Sequence, residues 1–425
     1  MTPPRPARRR GGVLMATRIH LPEAAAAALR LDGVERALAG HHVPVRVLTT
    51  TPPASAPEPT DPQGVSVSRW PALRDASGYL RGYLPYVSFD VPLMGRFFAQ
   101  PRPDAVLVEP PPTTGVVMRL ACALRRVPYV WYAPDVWSTA AQSTGAPRLV
   151  LEALRRMESF AVRGAARVVA INEEVAEHVR ALGGREVRVV PNGVDTSVFD
   201  PTGPVPDAEA RRRIGLTGPY AVYAGTLSEW QDAGVFVRAL EGLRATRPDA
   251  QILFLGQGSD WETVAQDASR LPAGADGAPA VVMHPPLPPA EAAAWQRGAV
   301  CALVSIKPGL GYDFAYPTKV LAALGCGTPV LYAGHGPVGE DVERDDLGIV
   351  SDHDPQAVAA AMEAAFAADA ALTDRQRRQR AERLHAWVRT HRSLEATGQA
   401  VARLMREVVI ERRGGATARA AREKW

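Results

Sequence analysis

The sequence predicts two α/β domains, each built on a doubly wound parallel sheet with helices on both faces. Its 425 residues are too many for one ordinary core and suit two domains of about 200 residues each. Short runs rich in β-branched residues alternate with helical segments, the pattern of parallel sheets covered by helices. This alternation stops in a proline-rich stretch at residues 195–219 and then resumes, which indicates a linker between the domains.

The first half contains seven short segments that favour strands and four that favour helices. The strands are predicted at residues 12–16, 45–49, 66–70, 105–109, 129–132, 167–171 and 187–190. The helices are predicted at residues 23–38, 113–126, 149–163 and 173–182. The last helix ends before two consecutive glycines, which is a common stop signal.

The second half repeats this organisation. Strands are predicted at residues 220–224, 251–255, 280–284, 300–306, 329–332 and 348–350. Asp354 and Pro355 open a helix with an N-cap and a proline at the first helical position. The segment from 373 to 413 is helical by its spacing of apolar residues, and no internal repeat is visible.

These elements predict the following domain organisation. Residues 1–11 form a disordered, arginine- and proline-rich extension without the apolar core of a signal peptide. Residues 12–195 form the first domain, 196–219 the linker and 220–372 the second domain, while 373–413 form helices that pack back across the domains, before a tail at 414–425. Two open sheets joined in this way face a cleft, and ligands bind where their strands end.

Composition and charge exclude several classes of protein. The chain is 46% hydrophobic and 22% charged, as in a globular protein, and no apolar run approaches the roughly 18 residues that span a bilayer. Cys122, Cys301 and Cys326 are far apart and without metal spacing, which favours a reducing, cytoplasmic compartment. The arginine clusters lack interleaved aromatic residues, which argues against nucleic acid, but they permit peripheral contact with an anionic inner membrane surface.

Residues 307–330 are the most informative segment. A predicted strand runs into a glycine-containing loop, and Pro317 then starts a short helix. Lys319 falls in the first turn, beside free backbone N–H groups and the positive end of the helix dipole, a combination that suits a diphosphate. The alternative is an ordinary capped helix with a solvent-exposed lysine.

Five segments, taken in order, resemble the retaining glycosyltransferases of family 4, which have the GT-B fold. Pro317-Thr-Lys319 with residues 325–330 is similar to the donor-site helix of that family, and residues 220–231 to its phosphate-binding turn. Residues 253–258 resemble its next glycine-rich turn, and residues 189–195 the end of its first domain. Residues 129–137 resemble the Asp-Leu-Trp segment of the branch that assembles surface polysaccharides. The resemblance covers residues 12–410.

The resemblance implies an enzyme that moves a hexose-type sugar from a nucleoside-diphosphate sugar to a hydroxyl with retention. The sequence does not identify the acceptor, and polysaccharide, glycolipid and specialised-metabolite synthesis all stay open. No cofactor is implied beyond the donor itself, and no metal, because no Asp-X-Asp pair stands at a strand end. The residues expected to hold the donor are Gly225, Thr226, Leu227, Gln231, Gly256, Gln257, Lys307, Tyr312, Asp313, Pro317, Thr318 and Lys319.

The chain departs from the family pattern at three donor-side positions. The family usually has a ribose-binding glutamate one turn after the position of Lys319, where this chain has Ala322. The family also carries an arginine and a lysine in the phosphate turn, where Thr226 and Gln231 stand here. Lys319, with Lys307, would therefore supply most of the positive charge.

The first domain is expected to bind the acceptor. Asp135 follows a strand and can orient the acceptor hydroxyl or accept its proton, although it can also be read as a helix cap. Tyr132 replaces a histidine of the family and can only orient, since a phenol is not a base near neutral pH. His20, Glu23 and Glu109 are further acceptor-side candidates.

Two other functions remain open. A nucleotide-sugar 2-epimerase would share the two-domain architecture but needs catalytic carboxylates and a histidine that we do not place. A non-catalytic scaffold or sugar-nucleotide sensor would explain Ala322 and the neutral phosphate turn.

Overall fold

The computed structural model describes residues 11–23, 26–53, 56, 58–75, 80, 82–143, 147–274, 277–310 and 312–413. The predicted tail, and residues 1–10 of the predicted N-terminal extension, lie outside the described residues. The chain divides into two compact units, Met1–Asn192 with Leu394–Trp425 (unit 1) and Gly193–Ser393 (unit 2).

Residues up to 192 supply the seven strands and six of the helices of unit 1. The strands are β1 (Val13–Ala16), β2 (Val45–Thr50), β3 (Val65–Trp70), β4 (Ala105–Val108), β5 (Tyr129–Ala133), β6 (Arg167–Ala170) and β7 (Val187–Val189). The helices are α1 (Ala26–Gly40), α2 (Tyr83–Ala99), α3 (Pro112–Arg125), α4 (Trp137–Ser143), α5 (Arg148–Gly164) and α6 (Glu173–Ala181). The strand order is β3-β2-β1-β4-β5-β6-β7, and all the neighbours are parallel.

Unit 2 contains six parallel strands. They are β8 (Tyr220–Thr226), β9 (Gln251–Gln257), β10 (Val281–His284), β11 (Ala302–Ser305), β12 (Val330–Ala333) and β13 (Gly348–Ser351), in the order β10-β9-β8-β11-β12-β13. The helices are α7 (Ala208–Arg213), α8 (Gly234–Leu243), α9 (Trp261–Ser269), α10 (Pro289–Arg297), α11 (Thr318–Gly325), α12 (Pro337–Arg344), α13 (Pro355–Ala370) and α14 (Asp374–His391). The last helix among the described residues, α15 (Leu394–Arg413), belongs to unit 1.

The predicted fold class is confirmed. Both ends of every predicted strand lie within two residues of the ends of the observed strand. The central strands β1, β4 and β5 of the first sheet and β11 of the second are buried along their whole length, as strands covered on both faces must be. Strand β8 is buried up to Tyr223 and becomes exposed at its end. The helical segment 373–413 divides into α14, which packs against α11, and α15, which packs against α1. The sequence did not predict α2, which contains Pro92 inside the helix.

The core lies on both faces of each sheet. In unit 1, one face packs against α2, α3, α5 and α6, and the other against α1 and α15. In unit 2, one face packs against α8 and α13, and the other against α11 and α14. Because all the strands in a unit are parallel, their carboxyl ends meet at one edge of the sheet. The candidate residues lie at this edge: in unit 1 they follow β1, β4 and β5, and in unit 2 they follow β8, β9 and β11.

Candidate functional site

Lys319 lies at the start of α11, and its ammonium group reaches the end of β8. Helix α11 begins at Thr318, after Pro317, and no described side chain caps its first N–H groups. The Lys319 Nζ donates to the Tyr223 hydroxyl at 2.5 Å, to the Thr226 carbonyl oxygen at 3.0 Å and to Gln231 Oε1 at 3.3 Å. Three oxygens therefore meet the three N–H bonds of the ammonium group.

The surroundings of Lys319 are poorly solvated. The side chain is half-buried, and its Nζ lies 3.7 Å from the centroid of the Tyr223 ring. Desolvation of the ammonium group lowers the pKa of Lys319 well below its usual range. An anion bound at this point would restore the charged form. The alternative of a solvent-exposed lysine is therefore wrong.

Gln231 positions Lys319 from inside the protein. Its side chain is buried, and its Oε1 also accepts from the Tyr223 hydroxyl at 3.0 Å and from the Ser228 hydroxyl at 3.2 Å. The carboxamide oxygen is thus fixed by three donors. Burial raises the pKa of Tyr223, so its hydroxyl stays protonated. Tyr223 and Ser228 were missed in the sequence because nothing in a buried strand or a turn marks a long-range partner.

Glycines allow the ends of β8 and β9 to approach each other closely. A Cβ on Gly256 would lie 1.9 Å from the Gly225 carbonyl oxygen, and one on Gly258 would lie 1.9 Å from that of Leu227. The Leu227 N–H donates to the Gln257 carbonyl at 3.0 Å, which closes the turn. A Cβ on Gly225 itself would meet Lys319 Cε at 3.1 Å. The exposed Thr226 therefore lies on a compact backbone turn beside the lysine.

The loop after β11 packs on the same turn. The Lys307 N–H donates to the Trp230 carbonyl at 2.9 Å, while the Lys307 side chain is exposed. The Tyr312 and Trp230 rings stack with centroids 4.9 Å apart. The Asp313 carbonyl lies against Gly336, where a Cβ would come within 2.0 Å of it. Lys307, Tyr312 and Asp313 thus share the loop that leads into α11.

Acidic side chains surround this turn as well. Partial desolvation and the charges of Asp232 and Glu229 raise the pKa of Asp260, and Lys307 opposes the shift. Ala322, the departure from the family pattern in α11, is buried in the core and presents no acceptor. The cationic character of the turn therefore depends on two lysines.

A buried polar cluster in unit 1 contains Glu109. Arg30 Nη2 contacts one Glu109 oxygen at 3.0 Å, and the Thr17 hydroxyl donates to the other at 3.1 Å. The Arg30 guanidinium lies 5.1 Å from the Tyr132 ring. Tyr132 is fully buried, its hydroxyl has no partner among the described residues, and burial raises its pKa. Both Glu109 oxygens are therefore used internally, and Tyr132 stays a neutral phenol beneath the surface.

Asp135 is exposed at the end of β5 beside this cluster. Desolvation raises its pKa, against the attraction of Arg30. The backbone N–H groups of Trp137 and Ser138 at the start of α4 donate to Glu158, at 2.6 and 2.9 Å. Because Glu158 holds the start of that helix, the interpretation of Asp135 as its cap is wrong. Asp135 is an exposed residue at the carboxyl edge of the sheet, and its side chain is hydrogen-bonded to that of Trp137.

His20 and Glu23 lie in the loop after β1 and are each paired. His20 is buried, with Nε2 2.9 Å from Glu35 Oε1 and Nδ1 3.0 Å from the Leu21 carbonyl. Burial alone would lower the pKa of His20, but the hydrogen bond and charge of Glu35 raise it overall. Glu23 forms an ion pair with Arg74 at 2.8 Å. Both side chains thus fix the loop, and neither ring nitrogen of His20 is left to contact a ligand.

Two findings concern metal ions and membranes. Among the described residues, no group of three or more His, Cys, Asp or Glu side chains is placed to hold a metal ion. No helix built from the described residues is long and apolar enough to cross a bilayer.

Two family models match successive parts of the chain. Residues 25–193 match the "Glycosyl transferase 4-like domain", and residues 218–368 match "Glycosyl transferases group 1". The first matched segment contains β2 to β7, and the second contains all six strands β8 to β13.

Curated relatives match part of the chain. A D-inositol 3-phosphate glycosyltransferase of Acidothermus cellulolyticus is 30% identical over 216 residues, which are 48% of this chain and 46% of the relative. The enzyme of the same name from Xylanimonas cellulosilytica is 33% identical over 213 residues, 48% of each chain. The chain therefore spans about half the length of the curated relatives it matches.

Solved structures match over nearly the whole chain. Sucrose-phosphate synthase from Thermosynechococcus elongatus has a TM-score of 0.67 at 17% identity, covering 94% of this chain and 99% of that one. HepE of Anabaena, in complex with UDP, has a TM-score of 0.65 at 16% identity, covering 93% and 100%. At such identities the likeness defines the fold, which is GT-B with two Rossmann-like units. With both sheets matched by glycosyltransferase models, the chain belongs to GT-B glycosyltransferase family 4.

Proposed function

We propose that the protein transfers a hexose-type sugar from a nucleoside-diphosphate sugar to a hydroxyl acceptor, with retention and without a divalent metal. The observation that carries the proposal is the position of Lys319, whose ammonium group lies against the turn after β8 at the uncapped start of α11. Backbone donors, a helix dipole and a cation converge there, which is the arrangement that stabilises a leaving diphosphate. Relatives named as glycosyltransferases support this reaction class.

The donor is proposed to bind unit 2. The diphosphate would take hydrogen bonds from the first N–H groups of α11 and from Lys319, and would contact the backbone at Gly225–Leu227. Because Lys319 already has three oxygen partners, we expect the phosphate to displace the longest contact, that with Gln231 at 3.3 Å. Solved GT-B structures with UDP and UDP-glucose support a nucleotide-sugar donor.

The remaining donor-side candidates are proposed to hold the nucleotide and the sugar. Lys307, Tyr312 and Asp313 share the loop before α11, and Gly256 and Gln257 form the adjoining turn. We propose that the loop contacts the transferred sugar. Gln231 acts by holding Lys319, since it is buried.

The acceptor is proposed to bind unit 1 next to Asp135. The acceptor oxygen attacks the anomeric carbon as the bond to the diphosphate breaks, and the departing phosphate oxygen takes the hydroxyl proton. Asp135 orients the acceptor, because this residue is exposed just after a strand end. Tyr132, Glu109 and His20 are proposed to support that edge from beneath, as all three are buried. The protein would act at the cytoplasmic side in polysaccharide, glycolipid or specialised-metabolite synthesis.

A direct test combines binding and turnover. The full chain is screened by thermal shift against UDP- and GDP-sugars, and release of free nucleotide is then measured with and without candidate acceptors, inositol 3-phosphate among them. We expect binding and slow hydrolysis of one donor, and turnover that persists in EDTA. Complete loss of turnover in EDTA would refute the metal-independent reaction, and absence of binding to any donor would refute the proposal as a whole.

A second function is a non-catalytic subunit that senses or scaffolds sugar nucleotides. Three features favour this function. The phosphate turn has the neutral Thr226 and Gln231, α11 has Ala322 in place of a glutamate, and all three N–H bonds of the Lys319 ammonium group are already used within the protein. Binding without nucleotide release under any condition of the same screen would select this function.

A further inference from the structure

Helices α2, α3 and α5 form one layer over the sheet of unit 1. Helix α2 packs on α3 and α3 packs on α5, and all three contribute to the same core cluster. Their outward side chains form a continuous surface, which we call the α2–α3–α5 face. The face takes no part in the donor or acceptor sites proposed above.

Helix α2 is apolar on its outward side. Leu84, Val91 and Phe98 recur every seven residues, which places them on one side of the helix, and Leu84 and Val91 are 66% and 69% exposed. The only charged residues in α2, which is described throughout, are Asp90 and Arg96, and both are buried. A solvent-facing helix normally carries its charges on the outside, so this pattern is inverted.

The apolar surface continues onto α3 and α5. Leu120 and Leu124 are four residues apart on α3 and exposed, Leu124 by 72%. On α5, Leu149 is 86% exposed and Phe160 is partly exposed. Exposed apolar side chains on three adjacent helices form a patch of the kind that marks an interaction surface.

Arginines frame the patch. The Arg125 guanidinium lies 5.8 Å from the Phe98 ring, and that of Arg119 lies 3.9 Å from the Phe160 ring. Further exposed arginines at the edge are Arg126, Arg148, Arg155, Arg156 and Arg163. Within residues 83–126 and 148–164, all described, Glu152 is the one exposed acidic side chain, and it is paired with Arg156.

We propose that the α2–α3–α5 face docks on the surface of a bilayer that contains anionic phospholipid. The apolar side chains enter the headgroup region and the arginines pair with lipid phosphates, as in surface-bound amphipathic helices. A second copy of the chain fits less well, because a two-fold interface would bring arginines against arginines.

The main experiment measures binding of the full chain to vesicles by sedimentation. Vesicles of phosphatidylcholine alone are compared with vesicles that also contain phosphatidylglycerol. We expect binding only to the anionic vesicles, and at least a tenfold loss of affinity in the double variant Val91→Glu, Phe98→Glu. Val205→Glu, at an exposed apolar residue of unit 2, is the matched control and should bind like the wild type.

A second pair of variants tests the charges. Arg148→Gln with Arg155→Gln should weaken binding by about fivefold for each arginine removed. Arg375→Gln with Arg378→Gln, on the exposed surface of α14, should have no effect. All four side chains are exposed, so we expect the melting temperature of both variants to equal that of the wild type. A lower melting temperature would identify a variant that is misfolded.

A labelled variant locates the contact. Cys122, Cys301 and Cys326 are buried, and desolvation raises their pKa, so an added exposed thiol is labelled selectively. The environment-sensitive dye NBD on Val91→Cys should brighten severalfold with anionic vesicles, and on Val205→Cys it should not.

Three results would overturn the proposal. They are absence of binding to anionic vesicles, binding that survives Val91→Glu with Phe98→Glu, and a lipid-free dimer that the same variant dissociates. The last result would assign the face to a second copy of the chain.

Discussion

Replacing Lys319 by methionine separates its role at the site from its role in the fold. Methionine keeps the length of the side chain and removes the charge. The variant loses three N–H donors, but the Tyr223 hydroxyl lies 3.0 Å from both Thr226 O and Gln231 Oε1 and can still donate to either. The cost of desolvating the ammonium group of this half-buried side chain also disappears. We therefore expect the free energy of unfolding to change by less than about 2 kcal/mol.

The effect on turnover should be much larger. Removing one donor that stabilises developing negative charge costs about 2.7–4 kcal/mol, or a 10²–10³-fold loss of kcat. Lys307→Met, which removes an exposed and screened charge from the neighbouring loop, should cost no more than about tenfold.

The pH dependence of the free energy of unfolding provides an independent test of the environment of Lys319. The lowered pKa of Lys319 means that the unfolded chain binds more protons between that pKa and the ordinary value of 10.5. The free energy of unfolding should therefore rise with pH in this window, and the rise should be absent in Lys319→Met. Urea unfolding followed by tryptophan fluorescence measures the stability, and nucleotide release measures kcat.

A folded Lys319→Met protein that keeps turnover within about tenfold of the wild type would refute the role given to Lys319. A Lys319→Met variant whose stability follows pH as the wild type does would refute it equally.

Three further substitutions, one of them with a matched control, test the packing and the buried charges. Gly256→Ala should destabilise by at least about 1–3 kcal/mol in urea unfolding, because its Cβ would lie 1.9 Å from the carbonyl oxygen of a neighbouring strand. Gly242→Ala in α8, where the Cβ meets nothing closer than 3.6 Å, should instead stabilise by about 0.5–1 kcal/mol and serves as the control. Glu109→Gln should cost about 3–5 kcal/mol, because it leaves the charge of Arg30 buried and unpaired, and a cost below 1 kcal/mol would show that the pair is solvated. The raised pKa of His20 means that its stabilising interaction is complete below about 6.5, its ordinary pKa, and is lost as the pH rises through the folded value. The difference in Tm between wild type and His20→Gln should therefore shrink from mildly acidic to mildly alkaline pH, and a constant difference would contradict this.

Much of the fold could be predicted because buried parallel strands leave a strong local signal. Short runs of β-branched, aromatic and other apolar residues marked every strand of both sheets within two residues. Helix α2 was missed because Pro85, Pro92 and Gly95 interrupt its pattern, and because its apolar residues cover both the buried and the exposed sides. A helix that is not amphipathic gives no periodic signal.

For the candidate site, the sequence predicted which segments contribute to it but not the contacts between them. The glycine turns and the lysine at the start of α11 were visible as motifs, and their role in donor binding stays a prediction. The contacts that hold Lys319 join residues 88 to 96 positions apart, and no local pattern shows such pairings. The pairing of Arg30 with Glu109, 79 positions apart, was invisible for the same reason.

The place of α15 in unit 1 has a consequence for biosynthesis. This helix packs so tightly on α1 that a Cβ on Gly398 would lie 2.1 Å from the Gly33 carbonyl oxygen, and Val401 and Met405 complete one side of the core. The ribosome makes all of Gly193–Ser393 between the two parts of unit 1, which takes roughly 10–40 s at about 5–20 residues per second. During that interval the nascent first half has an open hydrophobic surface on its sheet, while the second half can already reach its final form. Chaperone dependence and aggregation during expression should therefore concentrate on the N-terminal half.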